Sequence, residues 1–188
     1  MIDTATLLER CRHRDDLAWE ALVRRVQPRV YGTALHYLRA PEDAREVAQD
    51  VFVRLYRHLS TLEFGDEGGF LGWLVQTTRN ACFDRMRQLR SRPPRADVPA
   101  EEANLEDAQP SPEEASLAGA RQALVHRAMA DLSELNREIL LLKEIQGLDI
   151  RQVAEILHIP LGTVKSRASR ARLELARRVL ALDPSYGA

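Results

Sequence analysis

Apolar residues recur at three- and four-residue spacing along most of the chain. Leu17, Ala21, Leu22 and Val26 share one helical stripe, and Val30, Ala34, Leu35 and Leu38 extend it. Between the two sets stands Pro28, which lacks an amide N–H and crowds the preceding turn, so it either kinks this helix or starts a new one. Pro41 opens the next helix, where a missing N–H costs nothing, and Glu42 and Asp43 face the positive end of the helix dipole. Its apolar stripe is Ala44, Val47, Ala48, Val51 and Leu55; its polar face is Arg45, Glu46, Gln49, Asp50 and Arg54. The stretch STLEFGDEGG, Ser60–Gly69, breaks the period and reads as a loop. The period resumes in FLGWLVQTTRNACFDRMRQLR, a long helix over Phe70–Arg90 that ends at Ser91 and two prolines.

From Ser91 to Ser116 the pattern stops. Five prolines, seven acids and almost no large apolar side chain cannot bury a core, so this stretch reads as a linker. Beyond it, Ser133 suits the N-cap of ELNREILLLKEIQ and Gly147 its C-terminal stop. Asp149 suits the cap of a short helix with Ile150, Val153, Ala154 and Leu157 inside; after the break HIPLG a last helix begins near Gly162. The expected fold is all-α. Two small helical domains, residues 1–92 and 119–188, are joined by an acidic flexible linker at 93–118, with a helix-turn-helix in the C-terminal domain. No internal repeat is visible.

Composition and charge sharpen this picture. Apolar residues make up 45% and charged residues 29%, a globular balance. No apolar run is long enough to cross a bilayer and the N-terminus lacks the build of a signal peptide, so a cytoplasmic protein without membrane insertion is expected. The net charge of −1 hides an uneven distribution: residues 96–120 carry seven acids and no Arg or Lys, and both flanking blocks are mildly basic. Cys11 and Cys82 stand far apart and in no CxxC. They read as reduced thiols, Cys82 packed in a helix and Cys11 partly exposed, against the alternative of a disulfide or redox sensor. The histidines 13, 36, 58, 126 and 158 have neither metal-ligand nor triad spacing, and no Gly-rich phosphate loop is present. No catalytic residue, metal or cofactor is implied.

The last helix carries the chemistry. At about 100° per residue, Val164, Ala168, Ala171 and Leu175 form its inner stripe. Gly162, Thr163, Ser166, Ser169 and Arg170 lie opposite, flanked by Lys165 and Arg167. Small residues allow close approach to a major groove, cations reach base edges or phosphates, and hydroxyls serve either. A basic run alone is usually a solvated face. Here the short helix, the break and the second helix together have the helix-turn-helix arrangement.

These residues resemble a known family. LSELNREILLLKEIQGLDIRQVAEILHIPLGTVKSRASRAR is similar to the promoter −35-binding domain of bacterial sigma factors. PEDAREVAQDVFVRLYRHL resembles the second conserved region of the extracytoplasmic-function (ECF) subfamily of the sigma-70 family, and FLGWLVQTTRNACFDRMRQLR resembles its strand-separating, −10-reading helix. The resemblance runs from about Leu17 to Leu180. It implies a transcription initiation factor, not an enzyme, with core RNA polymerase, promoter DNA and an anti-sigma factor as partners.

By resemblance, Glu46, Gln49, Asp50 and Arg54 bind core polymerase, a face that the residues alone would leave as solvated helix. Thr77, Arg79 and Asn80 meet the melted −10 strand, with Phe64 in the loop that pockets a flipped base; Phe70 and Trp73 read as core. Arg151, Thr163, Lys165, Ser166, Arg167, Ser169 and Arg170 meet the −35 duplex. The linker is either a solvated spacer or an acidic strap that threads the polymerase's RNA exit path. Four positions depart from the family pattern: His158 replaces a frequent Gly at the turn, Leu173 a basic residue, Arg85 an aromatic and Ala168 a larger aliphatic. Two rivals predict different behaviour: a free-standing regulator would dimerise and bind duplex alone, and a polymerase-docking protein would open no promoter.

Overall fold

The computed structural model describes residues 2–91, 124–125 and 127–184. The chain divides into two compact units, Met1–Pro94 and Arg95–Ala188. Among the described residues every regular element is helical. The linker read at 93–118 lies outside the described residues.

The front unit contains α1 (Thr4–Arg12), α2 (Asp16–Leu38), α3 (Pro41–His58) and α4 (Glu67–Ser91). Asp3 and Asp15 start the first two helices by accepting from the backbone amides of Thr6 and Ala18. α2 is the central helix, packed on α1, α3 and α4. Its buried row is Ala18, Leu22, Val26, Val30 and Ala34, an unbroken four-residue repeat. Leu17, expected inside, is 75% exposed, because it sits one residue out of phase with that row. Pro28 neither ends nor splits the helix. A proline inside a helix costs about 3 kcal/mol or more, and the buried valines at 26 and 30 on either side of it offset that cost through packing.

The inner stripe of α3 is buried as its sequence predicts: Ala44, Val47, Ala48, Val51 and Leu55. α4 starts one turn earlier than expected, at Glu67. Asp66 caps it by accepting from the Gly69 amide at 2.7 Å, so Gly68 and Gly69 belong to its first turn. Phe70 and Leu74 complete the core and are fully buried. The buried hydroxyls of Thr33 and Thr78 donate back to the carbonyls of Arg29 and Leu74, both at 2.8 Å, which satisfies them inside the core.

The back unit has a helical stretch at 127–130, then α5 (Glu134–Leu140), a π-type turn over Leu141–Ile145, α6 (Ile150–Leu157) and α7 (Leu161–Leu182). Ser133 holds the N-cap position of α5, yet its side chain makes no capping bond. The guanidinium of Arg137 instead ties the helix entry together, donating to the carbonyls of Met129, Ala130 and Leu132. Gly147, at φ 68°, ends the run in the left-handed region, where a side chain would be strained. Asp149 then forms a capping box with Gln152. In α6 it is Val153 and Ile156 that are buried, with Ile150, Ala154 and Leu157 half-buried. His158 closes α6 with φ 53°, so the turn is left-handed and the missing glycine costs about 1 kcal/mol.

Both cysteines are free and buried, so Cys11 is less exposed than its sequence context suggests. Burial among apolar side chains pushes the Cys82 thiol up to about 12. Its raised value means that the folded chain keeps the proton after the unfolded chain has lost it. The resulting stability is complete below pH 9.0 and declines as pH climbs towards about 12. Cys82→Ala is expected to flatten that component of the alkaline slope in urea unfolding measured between pH 8 and 11; an unchanged slope would contradict the buried thiol.

Candidate nucleic-acid and polymerase interface

Pro160 is the N-cap of α7, and its carbonyl accepts from the amides of Thr163 and Val164. Its inner stripe is set by Val164, Ala168 and Ala171, all buried. Ala168, where the family pattern has a larger aliphatic, sits fully enclosed; small residues at 168 and 171 let the neighbouring helices approach closely. The opposite surface is open. Gly162, Lys165, Ser166, Ser169 and Arg170 are exposed, and Thr163 and Arg167 are half-buried. A Cβ at Gly162 would meet no atom within 4 Å, so its small size serves nothing inside the unit.

The cations of this surface differ. Among the described residues, Arg151, Lys165 and Arg170 have no ion-pair partner, which leaves their charge available to phosphate or base. Arg167 leans back towards α5 and donates to Oδ1 of Asn136 at 3.4 Å, a weak hold. Arg172 is drawn away, with Nε 3.6 Å from Glu144. Ser166 donates back to the Thr163 carbonyl at 3.1 Å. Leu173, 59% exposed, adds an apolar spot to the outer side.

In the front unit, Glu46, Gln49, Asp50 and Arg54 form one exposed row on α3. Two features of this face escape the sequence pattern. Val53 and Tyr56 are also exposed there, and the Tyr56 ring meets Trp19 of α2 edge-on, with centroids 5.1 Å apart. In addition, Glu46 is held. Arg85 of α4 reaches across to Asp43, with Nε 2.8 Å from its carboxylate, and places a second nitrogen 2.6 Å from Glu46. The hydrogen bond that Arg85 donates to Asp43 is the main reason that its guanidinium is held above its ordinary range. An arginine where the family pattern has an aromatic thus replaces ring packing with a charged clasp between α3 and α4.

The expected −10 residues divide. Trp73, Thr77 and Asn80 recur at four- and three-residue spacing, so they share one stripe of α4. Arg79 is off that stripe, stacked over the Phe83 ring at 4.7 Å. Phe64 is half-buried, edge-on to Phe70 at 5.2 Å and to Trp73 at 5.9 Å. It is the loop side of an aromatic cluster, rather than a bare platform. Helical periodicity alone could not reveal this packing, since it depends on how the loop folds back onto α4.

A front unit with an exposed polar row on α3, and a back unit ending in a helix-turn-helix whose outer cations have no ion-pair partner among the described residues, make a helical protein of two modules. Comparison with known proteins gives the family. The model of Sigma-70 region 2 matches residues 22–92, and that of Sigma-70 region 4 matches residues 122–175. The chain is 34% identical over 173 residues to the RNA polymerase sigma-H factor of Pseudomonas aeruginosa, covering 88% of each chain. It is 32% identical over 179 residues to the ECF RNA polymerase sigma-E factor of Escherichia coli, covering 92% of each. Among solved structures, CnrH bound to the cytosolic domain of CnrY is similar at TM-score 0.61 and 23% identity, over 96% of this chain and 99% of that one. The sigma factor RpoE bound to the anti-sigma factor NepR, from Bartonella quintana, is similar at TM-score 0.58 and 23% identity, over 87% and 97%. The chain belongs to the sigma-70 family of RNA polymerase sigma factors, in its ECF group. It is therefore a transcription initiation factor and not an enzyme. No helix among the described residues is long and apolar enough to cross a membrane.

The Arg85 clasp makes a quantitative prediction. Both side chains of the Arg85–Asp43 pair are about four-fifths buried, whereas Glu46 is 60% exposed. A double-mutant cycle on Arg85 and Asp43 in urea unfolding should give a coupling of about 1–2 kcal/mol. The Arg85–Glu46 cycle should give less than about 1 kcal/mol, because solvent screens the outer carboxylate.

Proposed function

We propose that the back unit reads −35 duplex DNA through α7 while the front unit docks on core RNA polymerase through α3 and holds the melted −10 strand with α4 and the loop before it. The observation that carries this reading is the outer face of α7, where Lys165 and Arg170, without ion-pair partners among the described residues, flank the small exposed residues Gly162, Ser166 and Ser169. Such a face fits the major groove because nothing bulky keeps the helix axis from the base edges. Arg151, in the first turn of α6, lies outside the reading helix and suits a phosphate contact that fixes its register. Thr163 and Arg167 stand at the flanks of the face.

Docking on polymerase is carried by Glu46, Gln49, Asp50 and Arg54. Their mixed acidic, amide and basic character suits a polar helix–helix interface, and the exposed Val53 and Tyr56 supply the apolar contact that such an interface needs at its centre. For the −10 strand, the stripe of Thr77 and Asn80 beside Trp73 offers hydrogen-bonding groups next to an aromatic wall, with Phe64 closing one side. Arg79, stacked on Phe83, serves the phosphate backbone from the adjacent face. An anti-sigma factor is the expected regulatory partner, as the two similar structures each hold a sigma factor or its like against a second protein.

The test is transcription by the full-length chain with core polymerase on fragmented DNA from its own organism, with transcript 5′ ends sequenced. Starts that share one −35 and −10 pair are expected. A stable dimer that binds duplex tightly without polymerase, and gives no defined starts, would replace this reading with that of a free-standing regulator. Arg170→Ala should weaken binding of the −35 duplex by about 1–3 kcal/mol if the side chain reads a base, with relaxed preference at that position. As a phosphate contact it would instead lower affinity for all sequences and reduce the salt slope. Asp50→Arg should reduce core binding at least tenfold, by roughly the worth of one interface hot spot, while leaving front-unit unfolding unchanged.

A further inference from the structure

The first helix, α1, precedes the residues matched by the region 2 model, which begin at position 22. It packs on α2, and two of its side chains, Arg12 and Thr4, reach the segment between α3 and α4 and its continuation into α4. At the near end, Arg12 donates one terminal nitrogen to the Leu62 carbonyl at 2.7 Å, with Nε 3.5 Å from the Leu59 carbonyl. Leu59 is the C-cap of α3, so its carbonyl is one of those that a helix end leaves without an intrahelical partner. Glu9 holds the same guanidinium from behind at 2.9 Å. At the far end, the Thr4 hydroxyl, itself 2% exposed, donates to Glu67 at 2.5 Å in the first turn of α4. Arg25 of α2 locks Thr4 in turn, donating to its hydroxyl at 3.2 Å and to the Ile2 carbonyl at 2.5 Å.

One rigid helix therefore grips both ends of one loop. With Leu62 held by Arg12 and Asp66 held as the cap of α4, the arc left between the anchors is Glu63, Phe64 and Gly65. Phe64 is the residue aimed at Phe70 and Trp73. A fixed span between the anchors fixes how far this arc can open, and hence where Phe64 sits against Phe70 and Trp73.

We propose that Arg12 and Thr4 are positioning residues for base recognition: α1 sets the geometry of the 63–65 arc and thereby the selectivity for the captured base. This rests on the reading of that loop as the pocket of a −10 base. Arg12 acts through two backbone carbonyls, those of Leu59 and Leu62. Its forked guanidinium can hold both at once, whereas the single ammonium of a lysine cannot keep that geometry.

The experiment uses the full-length chain bound to core polymerase and a random-sequence pool of single-stranded DNA, sequenced before and after selection. Wild type should enrich one strongly preferred base at a defined position. Arg12→Ala should lower that discrimination roughly tenfold, in keeping with the cost of a small misplacement of a recognition group. Arg12→Lys and Thr4→Val should lower it in the same direction. Affinity for core should stay unchanged. Hydrogen exchange should accelerate in residues 60–66 of Arg12→Ala and remain as in wild type in α3 and α4, a pattern that general destabilisation would not give. Wild-type discrimination retained in both Arg12→Ala and Arg12→Lys would overturn the clamp while leaving the pocket reading intact. No base preference in wild type itself would overturn the pocket reading and the clamp's role in selectivity together. If Arg12→Ala fails to fold, the Arg12→Lys and Thr4→Val selections decide.

Discussion

The front unit depends on the burial of a single row on α2, in which Ala18, Leu22, Val26, Val30 and Ala34 repeat every four residues without a gap. The three other helices of the unit pack on α2, so each takes its orientation from that row. The same row explains why Pro28 is tolerated in mid-helix, since the chain gains more by keeping Val26 and Val30 in phase than it loses at one missing backbone bond. It also explains why Leu17 is left outside. Once the phase is set by the buried row, a neighbouring residue is turned away by about 100° however apolar it is.

Charge then differentiates what packing has assembled. In the front unit the largely buried Arg85 side chain joins Asp43 and Glu46 across the α3–α4 seam, and Arg12, Thr4 and Arg25 tie α1 to the ends of the 60–66 loop. These are polar contacts between elements whose separation is already fixed, so they add direction where apolar burial cannot. In the back unit the distribution is reversed. Arg137 is consumed in closing the entry to α5, while Lys165 and Arg170, on the outer face of α7, have no ion-pair partner among the described residues. A cation that has no internal partner retains its full interaction with an anionic ligand, whereas one held by backbone carbonyls has already spent its donors.

Much of this was legible beforehand at the level of elements. The α3 stripe was predicted residue for residue, because a strongly amphipathic helix with a proline at its first position leaves little choice of phase. The inner stripe of α7 and the caps at Gly147 and Asp149 were legible for the same local reasons. What failed did so where a local rule competed with a tertiary one. Ser133 stands at the N-cap of α5 without a capping bond, and the entry is fastened instead by Arg137, which donates to the carbonyls that precede it. Cys11 is buried because α1 packs against α2. Phe64, in a loop by any pattern, is drawn against Phe70 and Trp73. The grouping of Thr77 and Asn80 follows from helical spacing alone, yet the diversion of Arg79 onto Phe83 required the side-chain arrangement.

The amino-acid order by itself determined the helical class, the division into two basic blocks around an acidic stretch, and the family, since all three rest on periodicity, composition and runs of residue types within one segment. The tertiary structure alone decided which cations are paired among the described residues, how Glu46 is held on the outer face of α3, and that a helix outside the region 2 match grips both ends of the 60–66 loop. Those properties depend on pairs far apart in sequence, such as Arg85 with Asp43 and Arg12 with Leu62. Helical periodicity says which side of a helix faces inward, but the partner it meets there is chosen only when the helices pack.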